Sequence, residues 1–252
     1  MLLEGKVVLV TGGGRGIGAA ICRVLAREGA TVAVNYANSK EKAEKVAAEI
    51  TEAGGQAAAF GADVRDSASV EAMIAAVRER FGRLDGVVNN AISGPQSGTL
   101  DKATREDYTN SFDYGCLAVI NTISAARPVF GDQGDGGRIV NIVTELWNMA
   151  PAGWSVYMAG KGAMVGLSRS LAAELGPENI TVNMVAPGWM ADEKVDTDSE
   201  GSKKFAASLP LRRHGSADEI GNACVFLLSD LASYITGAYI PVTGGRVTQT
   251  GV

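Results

Sequence analysis

Short apolar runs alternate along the chain with longer stretches in which apolar side chains recur every three or four residues. Val7–Val10 is the first such run, and the segment behind it places Ile17, Ile21 and Val24 on one helical face before Gly29 ends the helix. The runs contain Val and Ile without polar alternation, which is typical of parallel strands covered on both faces. The predicted strands cover residues 7–10, 31–36, 57–64, 84–90, 138–143, 180–185 and 239–242. The pattern therefore predicts an α/β fold: a single Rossmann-type, doubly wound parallel sheet with helices on both faces.

Helical periodicity separates the predicted strands. Ser39 is the expected N-cap of the second helix, and further helices are predicted over residues 67–81 and about 155–175. Residues 189–209 are polar, charged and poorly periodic, so we expect them to form a mobile lid over a site. Because the chain has neither a linker nor an internal repeat, residues 1–252 are expected to fold as one domain.

A glycine-rich segment lies between the first strand and the first helix. Glycines let the backbone approach a pyrophosphate closely, and a helix N-terminus offers unpaired N–H groups and positive potential to an anion. Its position after a strand and before an amphipathic helix favours a dinucleotide-binding turn over an ordinary tight turn. The expected cofactor contacts in this turn are Gly12, Gly14, Arg15, Gly16, Ile17 and Gly18.

The end of the second strand indicates which dinucleotide binds. A site that prefers NAD(H) usually carries Asp or Glu near this point to hold the ribose 2′-hydroxyl, whereas this chain has the neutral Asn35. Arg15 is expected to attract a 2′-phosphate, and Asn35 and Ser39 to add neutral hydrogen bonds. The sequence therefore predicts NADP(H) as the cofactor; the alternative is that Arg15 points to solvent.

Composition narrows the range of partners. The net charge of −5 provides no basic surface for nucleic acid or for an anionic membrane. The three cysteines lie in apolar, helix-like segments without a metal-ligand spacing, which is typical of buried thiols in a reducing compartment. No metal site is predicted, and we expect a cytoplasmic protein without a signal peptide or a membrane-spanning segment.

Further short motifs follow the glycine-rich turn along the chain, at the ends of predicted strands and on the long helix. Asp63 and Val64 come at the end of the third strand, and Asn89, Asn90 and Ala91 at the end of the fourth. Tyr157 and Lys161 lie four residues apart on the long helix, and Pro187 and Gly188 follow the sixth strand. Together with residues 11–18, this order resembles the short-chain dehydrogenase/reductase family over nearly the whole chain, and most nearly its 3-oxoacyl-acyl-carrier-protein reductases.

The resemblance assigns expected roles to these residues. It implies that Asp63 and Val64 contact the adenine, and that Asn90, Ala91, Pro187 and Gly188 line the rest of the cofactor site. It also implies a homotetramer, or at least a dimer, built through the long catalytic helix and the C-terminal strand.

Tyr157 and Lys161 share one helix face because they are four residues apart. A tyrosine with a pKa of about 10 is a poor acid–base group at neutral pH, and a neighbouring ammonium lowers that pKa. We expect Tyr157 to pass a proton to a carbonyl oxygen while the nicotinamide passes hydride to its carbon. Lys161 is expected to tune Tyr157 and to hold the nicotinamide ribose. Thr144 stands where the family has a serine, and is expected to orient the substrate oxygen.

Three other positions depart from the family's pattern. Gly115 takes the place of an asparagine that organises a water path to the lysine, so either a water fills the space or the relay is broken. Ile92 replaces the last glycine of the family's NNAG motif, and Asp192 replaces a threonine that contacts the carboxamide. These changes predict a different substrate or chemistry while leaving cofactor binding intact, because the phosphate end keeps its residues.

The substrate side of the predicted site is aromatic. Trp147, Trp154 and Trp189 flank the catalytic segments and predict walls for an apolar or ring-shaped molecule, with ordinary packing as the alternative. The two aspartates within residues 131–135 are expected to repel an acidic carrier, which favours a free small molecule over a carrier-bound acyl chain. The lone histidine, His214, is assigned a surface or capping role.

The sequence thus predicts an NADP(H)-dependent oxidoreductase of ketoreductase type. It is expected to transfer hydride between the nicotinamide and a small, apolar or cyclic ketone or secondary alcohol. Two alternatives remain open: a non-redox enzyme that performs elimination or isomerisation on the same scaffold, and a catalytically degenerate NADP(H)-binding protein in which Gly115, Ile92 and Asp192 have removed turnover.

Overall fold

Seven parallel strands form the central sheet in the computed structural model, which describes residues 1–94, 97–191 and 195–246. The described strands, including a separate two-stranded pair, are β1 (Val7–Val10), β2 (Thr31–Tyr36), β3 (Gln56–Gly61), β4 (Gly86–Asn89), β5 (Gly137–Ile142), β6 (Ile180–Pro187), β7 (Met190–Ala191), β8 (Gly215–Ser216) and β9 (Tyr239–Val242). The sheet has the order β3-β2-β1-β4-β5-β6-β9, while β7 pairs with β8 apart from it. Because the order reverses between β1 and β4, the predicted doubly wound topology is confirmed.

Helices cover both faces of the sheet. They are α1 (Gly16–Arg27), α2 (Lys40–Glu52), α3 (Ser67–Phe81), α4 (Arg105–Phe112), α5 (Ala118–Gln133), α6 (Leu146–Met149), α7 (Ser155–Leu175), α8 (Glu200–Ser208) and α9 (Ala217–Leu228). Side chains alternate between the faces of β1, so Leu9 packs in the core under α3, α5 and α7, whereas Val8 and Val10 pack under α1, α2 and α9. Within the described residues, none of the helices combines the length and apolar character that crossing a bilayer requires.

The observed boundaries differ from the predicted ones mainly at polar strand ends. β3 ends at Gly61 rather than at residue 64, because the Asp63 carboxylate and carbonyl turn the chain by accepting the N–H groups of Arg65 and Asp66, each at 3.0 Å. Residues 189–209 contain a helix as well as loop: Ser199 caps α8 by accepting the Ser202 N–H at 3.3 Å. Residues 192–194 of the predicted lid lie outside the described part, and its mobility stays a prediction.

Two glycines let α7 approach the chain before α5 without intervening side chains. Gly115 belongs to a short π-helical segment, Asp113–Leu117, that joins α4 to α5. A Cβ on Gly115 would overlap the carbonyl oxygen of Gly160, and a Cβ on Gly160 would overlap the carbonyl oxygen of Ser111. The backbones of the two segments are therefore in direct contact beside the start of α7.

We predict that Gly160→Ala lowers the free energy of unfolding by about 1–3 kcal/mol or more, because its methyl group forces the two segments apart. Urea denaturation measures the change. Gly166→Ala on the same helix is the matched control: its Cβ meets no atom within 4 Å, so the better helix propensity of alanine should raise stability by about 0.5–1 kcal/mol. Equal effects of the two substitutions would contradict this account of the contact.

Candidate active site

The candidate site lies at the carboxyl edge of the sheet, where the strands on either side of the order reversal end together. In a doubly wound sheet this edge forms a crevice at the point where the strand order changes. The glycine-rich turn follows β1, Asn90 and Ala91 follow β4, Thr144 follows β5, and Gly188 follows β6. The fold therefore collects the predicted motifs at one edge.

The glycine-rich turn adopts a backbone that other residues resist. Gly12 and Gly16 have φ values of +63° and +51°, in the left-handed region that favours glycine. A Cβ on Gly18 would overlap the Gly12 carbonyl oxygen, so the third glycine allows the turn to pack on the helix. α1 begins at Gly16, and its N-cap, Arg15, makes no capping hydrogen bond. The first N–H groups of α1 consequently remain available to an anion.

Thr11 ties the turn to the end of β4. Its hydroxyl oxygen accepts the N–H groups of Asn90 at 2.9 Å and Ala91 at 3.0 Å and donates to the Val88 carbonyl at 3.3 Å. The Asn90 amide in turn donates to the Thr11 carbonyl at 3.0 Å. The side chain of Asn90 thus shapes the turn from the β4 side, and the half-buried Ala91 borders the cleft beyond it.

Asn35 has a different place from the one predicted. Its side chain is 1% exposed, with Oδ1 accepting the Gly12 N–H at 3.2 Å and Nδ2 donating to the Ala62 carbonyl at 3.1 Å. The amide is therefore engaged inside the protein, where it braces the turn and cannot also bind a ribose phosphate. Ser39 and Arg15 remain exposed, and Ser39 starts α2 without the predicted capping bond.

Asp63 and Val64, which follow β3, are held by hydrogen bonds from neighbouring side chains. Asp63 accepts hydrogen bonds from Arg65 Nε at 3.0 Å and Nη2 at 2.7 Å, and this pairing lowers the pKa of the carboxyl. The Val64 carbonyl accepts the Asn121 amide at 3.0 Å. The backbone of both residues is fixed near the turn, and their contact with an adenine stays a prediction.

The Thr144 side chain is a hydrogen-bonding neighbour of the Tyr157 hydroxyl and acts on its pKa. Thr144 is 5% exposed, and its hydroxyl oxygen also accepts the Leu146 N–H at 3.2 Å. Burial raises the pKa of Tyr157 above its ordinary value, while the bond to Thr144 opposes the rise. Loss of solvation has the larger effect, and the lowering of this pKa by Lys161 stays a prediction.

Lys161 lies one turn beyond Tyr157 on α7 and is 6% exposed. Its Nζ donates to the Ile142 carbonyl at 2.5 Å, so the ammonium is anchored to the end of β5. Burial lowers its pKa from 10.5 to about 8. A lysine with such a pKa exchanges its proton near neutral pH.

Gly115 lies beside this pair but leaves no room for a relay group of its own. The position of its missing Cβ is taken by the carbonyl group of Gly160, so a side chain does not fit there. A water path in place of the amide stays a prediction. Ile92 is partly exposed and lines the narrow cleft with Ala91, Tyr114 and Tyr157. Asp192 lies outside the described residues.

The three tryptophans have different surroundings. The Trp154 ring meets the Tyr157 ring edge to face, with centroids 5.8 Å apart. Trp147 belongs to α6, is exposed, and its ring lies near Gly162 of α7. The Trp189 ring packs on Phe205 of α8, with centroids 4.7 Å apart. Trp154 contacts the ring of a catalytic candidate, and Trp147 donates its backbone N–H to the Thr144 carbonyl at 3.3 Å, while the aromatic wall predicted for the three residues stays a prediction.

His214 belongs to the cluster beneath α8. Its ring stacks on Phe205, with centroids 5.3 Å apart, and its Nε2 lies 2.7 Å from the Ser202 hydroxyl. Nδ1 lies 3.2 Å from the Trp189 carbonyl. The histidine joins α8 to the chain after β6, which extends the surface or capping role that was predicted.

The aspartates expected to repel an acidic carrier lie far from the cleft. Asp132 lies in the last turn of α5 and Asp135 between α5 and β5, at the amino edge of the sheet. Asp132 pairs with Arg78 at 2.9 Å and Asp135 with Arg83 at 3.4 Å. The sequence argument against a carrier-bound substrate therefore does not hold, because these charges are both paired and remote.

A buried carboxylate next to Thr144 was missed. Glu145 is 3% exposed, and its Oε1 accepts Arg246 Nη1 at 2.9 Å. Burial raises the pKa of Glu145, and the ion pair with Arg246 opposes the rise. The only available signal was a charged residue directly behind an apolar strand; its partner is 101 positions away.

The depressed pKa of Lys161 predicts how stability depends on pH. Between about pH 8 and pH 10.5, Lys161 is protonated in the unfolded chain but has released its proton in the folded protein. The free energy of unfolding therefore rises with pH across this window. Below it, the folded protein bears the full cost of burying the charged ammonium. The free energy of unfolding of wild type relative to Lys161→Met should therefore increase by up to about 3 kcal/mol from pH 7 to pH 10.5.

Urea denaturation at several pH values measures this difference. A comparison with the variant is needed because burial also raises the pKa of the Cys22 and Cys224 thiols, which affects both proteins equally. The exposed Lys45 provides the control, and Lys45→Met should follow the wild-type profile. If the difference in the free energy of unfolding between wild type and Lys161→Met did not change with pH, the lysine would not be desolvated.

Comparison with known proteins agrees with this geometry. The family model described as Enoyl-(Acyl carrier protein) reductase matches residues 12–246. The chain is 41% identical over 248 residues to an uncharacterized oxidoreductase of Methylorubrum extorquens, covering 96% of this chain and 98% of that protein. It is 41% identical over 241 residues to the 3-oxoacyl-[acyl-carrier-protein] reductase FabG of Staphylococcus aureus, covering 95% and 97% of the two chains.

Solved structures give the same result. A short chain dehydrogenase from Burkholderia cenocepacia in complex with NADP is similar with a TM-score of 0.88 at 37% identity, covering 97% of this chain and 99% of that one. The similarity extends over both the glycine-rich turn and the segment that carries Tyr157 and Lys161. The chain therefore belongs to the short-chain dehydrogenase/reductase family of oxidoreductases.

Proposed function

We propose that this protein is an NADP(H)-dependent reductase or dehydrogenase that interconverts a small ketone and a secondary alcohol. The closeness of the Thr144 side chain to the Tyr157 hydroxyl carries the proposal, because it sets an orienting hydroxyl beside a proton donor. Two hydroxyls that converge on one carbonyl oxygen are suited to reduction at the carbon of that carbonyl.

The residues of the turn fit a dinucleotide. Gly12 and Gly18 leave a backbone cradle that a Cβ would fill, and the N–H groups at the start of α1 open onto it. Arg15 and Ser39 stand exposed at the outer end, where they would hold a 2′-phosphate. NADPH bound there would supply hydride, and the similar Burkholderia cenocepacia protein is in complex with NADP.

The protein's own residues would handle the proton. Because burial raises its pKa, Tyr157 is a neutral phenol at physiological pH and can donate its proton to the carbonyl oxygen. Thr144 holds that oxygen through its hydroxyl. Lys161, with its pKa of about 8, is placed one turn away to return a proton towards the tyrosine and to bind the nicotinamide ribose.

The substrate we favour is a free, apolar or cyclic ketone, because aromatic rings lie near the site. Trp154 borders Tyr157, and Trp189, which follows β6, packs on Phe205. A carrier-bound 3-oxoacyl chain is the second candidate, favoured by the 41% identity to the Staphylococcus aureus reductase. Assays with cyclic ketones and with a 3-oxoacyl thioester on acyl carrier protein separate the two. Product formed without a change in nicotinamide absorbance would instead support a non-redox reaction, and binding without turnover a degenerate site.

We predict that Tyr157→Phe lowers kcat for the preferred ketone by about 10²- to 10⁴-fold, because the proton donor is lost. Nicotinamide absorbance measures turnover, and calorimetry should show the NADPH affinity unchanged within about threefold, since the ring remains in place. Tyr234→Phe, at a fully exposed tyrosine, is the control and should keep wild-type kcat. Full turnover by Tyr157→Phe would rule out the mechanism.

Arg15→Ala tests the choice of cofactor. Loss of a guanidinium that faces a 2′-phosphate should weaken NADPH binding by about tenfold or more and leave NADH binding within about twofold. Calorimetric titration with both cofactors gives the two affinities. Arg23→Ala is the matched control on α1. Arg23 lies away from the turn, and its Nη2 pairs with Glu49 Oε2 at a distance of 2.7 Å. If Arg15→Ala weakened the binding of NADPH and of NADH equally, the arginine would not contact the 2′-phosphate.

A further inference from the structure

Four buried polar side chains form a hydrogen-bonded network in the apolar core beneath α7. The Thr122 hydroxyl on α5 donates to Asn89 Oδ1 at 2.7 Å, and Asn89 Nδ2 donates to Asn141 Oδ1 at 2.8 Å. Asn141 Nδ2 donates in turn to the Ser168 hydroxyl oxygen on α7 at 2.8 Å. All four side chains are at most 4% exposed. The proposed mechanism gives none of them a task.

The partners of Ser168 fix how this network is oriented. The Ser168 hydroxyl donates to the Met164 carbonyl at 2.6 Å, so its oxygen remains to accept from Asn141. Asn141 lies opposite Asn89 in the pairing of β5 with β4, and apolar core side chains such as Ile139 line the same face of β5. A shift of α7 along β5 would leave the Asn141 amide unpaired in this apolar surrounding, which is destabilising. A buried polar contact of this kind can specify a single register.

Ser168 shares its helix face with the catalytic candidates. Tyr157, Lys161 and Ser168 are separated by four and seven residues, a spacing that places them on one side of α7. Lys161 Nζ donates to the carbonyl of Ile142, the residue that directly follows Asn141. α7 is therefore joined to β5 at two successive positions, by Ser168 and by Lys161.

The third meeting point is the one that the proposed reaction uses. The Thr144 side chain, just beyond the end of β5, is a hydrogen-bonding neighbour of the Tyr157 hydroxyl. α7 is a single helix of 21 residues, and Tyr157 lies about three turns before Ser168. Because a helix moves along its axis as a unit, a displacement at Ser168 reaches Tyr157.

We propose that the hydrogen bond between Asn141 and Ser168 fixes the position of α7 along β5 and makes these two residues positioning residues for Tyr157 and Lys161. Neither touches the reacting atoms, and both act through the helix. The kinetic consequence rests on the proposed function, because it takes Tyr157 as the proton donor to a carbonyl oxygen that Thr144 holds.

Ser168→Ala removes the acceptor on α7 and introduces a residue of high helix propensity. With cyclohexanone and NADPH, nicotinamide absorbance should show kcat lowered by about 10- to 100-fold, because a misplacement of about 1 Å has effects of this size. KM for cyclohexanone should stay within about threefold of wild type. A role confined to stability would leave kcat of the folded protein unchanged, and near-ultraviolet circular dichroism verifies that the variant is folded in the assay.

Two control variants separate the register of α7 from other effects. Thr122→Val removes a buried hydroxyl from the α5 end of the network but leaves Asn141 bonded to Ser168. Ser170→Ala makes the same substitution on α7 at an exposed position. Both variants should keep kcat within about twofold of wild type.

A second measurement needs no turnover. NMR of protein carrying ¹³C-labelled lysine follows the titration of the Lys161 ε-carbon, which Lys161→Met assigns. Burial lowers the pKa of Lys161 to about 8. When α7 is no longer held in register, water reaches the ammonium, so this pKa should rise by about 0.5 or more in Ser168→Ala. In Thr122→Val it should stay within about 0.2 of wild type.

The inference is overturned if Ser168→Ala lowers kcat no more than Thr122→Val does, or if the Lys161 titration in Ser168→Ala matches that of wild type. The two proposals remain distinguishable through the wild-type protein. If wild type reduces neither cyclohexanone nor another ketone, the redox proposal fails, and the Lys161 titration alone then decides whether Asn141 and Ser168 position the helix.

Discussion

The Thr11 hydroxyl lies between the ends of β1 and β4, where the strand order reverses, and the positions of the cleft residues depend on its hydrogen bonds. By accepting the N–H groups of Asn90 and Ala91, it fixes the end of β4 against the end of β1. Asn35 then braces Gly12 from the β2 side, so the glycine-rich turn is held on two sides by the protein's own groups. A cradle prepared in this way loses little conformational freedom when a phosphate binds, and β4 transmits its position to β5 through the parallel pairing of the two strands.

Burial acts in opposite directions on the two titratable groups of the catalytic half. Loss of solvation disfavours the charged form of each, so it raises the pKa of Tyr157 and lowers that of Lys161. In the proposed mechanism the phenol keeps its proton until a substrate draws it away, and the lysine exchanges its own proton. The same desolvation explains why Glu145 requires Arg246, since an unpaired carboxylate at that depth would be strongly destabilising.

Local signals were sufficient to predict the fold and the residues of the turn and of the catalytic helix. Apolar runs gave the strands, and the spacing of Tyr157 and Lys161 on α7 placed them on one face. Contacts between distant segments could not be read in this way. The amide of Asn35 turns inward to Gly12, 23 positions away, and Glu145 meets Arg246 across 101 positions. The paired state of Asp132 and Asp135 likewise depends on α3 and the start of β4, which no local pattern reveals.

The contact between Gly115 and Gly160 restricts how this protein can evolve. A side chain at position 115 would meet the carbonyl group of Gly160, and a side chain at position 160 would meet the carbonyl group of Ser111. An asparagine at position 115 would therefore require α7 to move away, and such a shift would carry Lys161 with it.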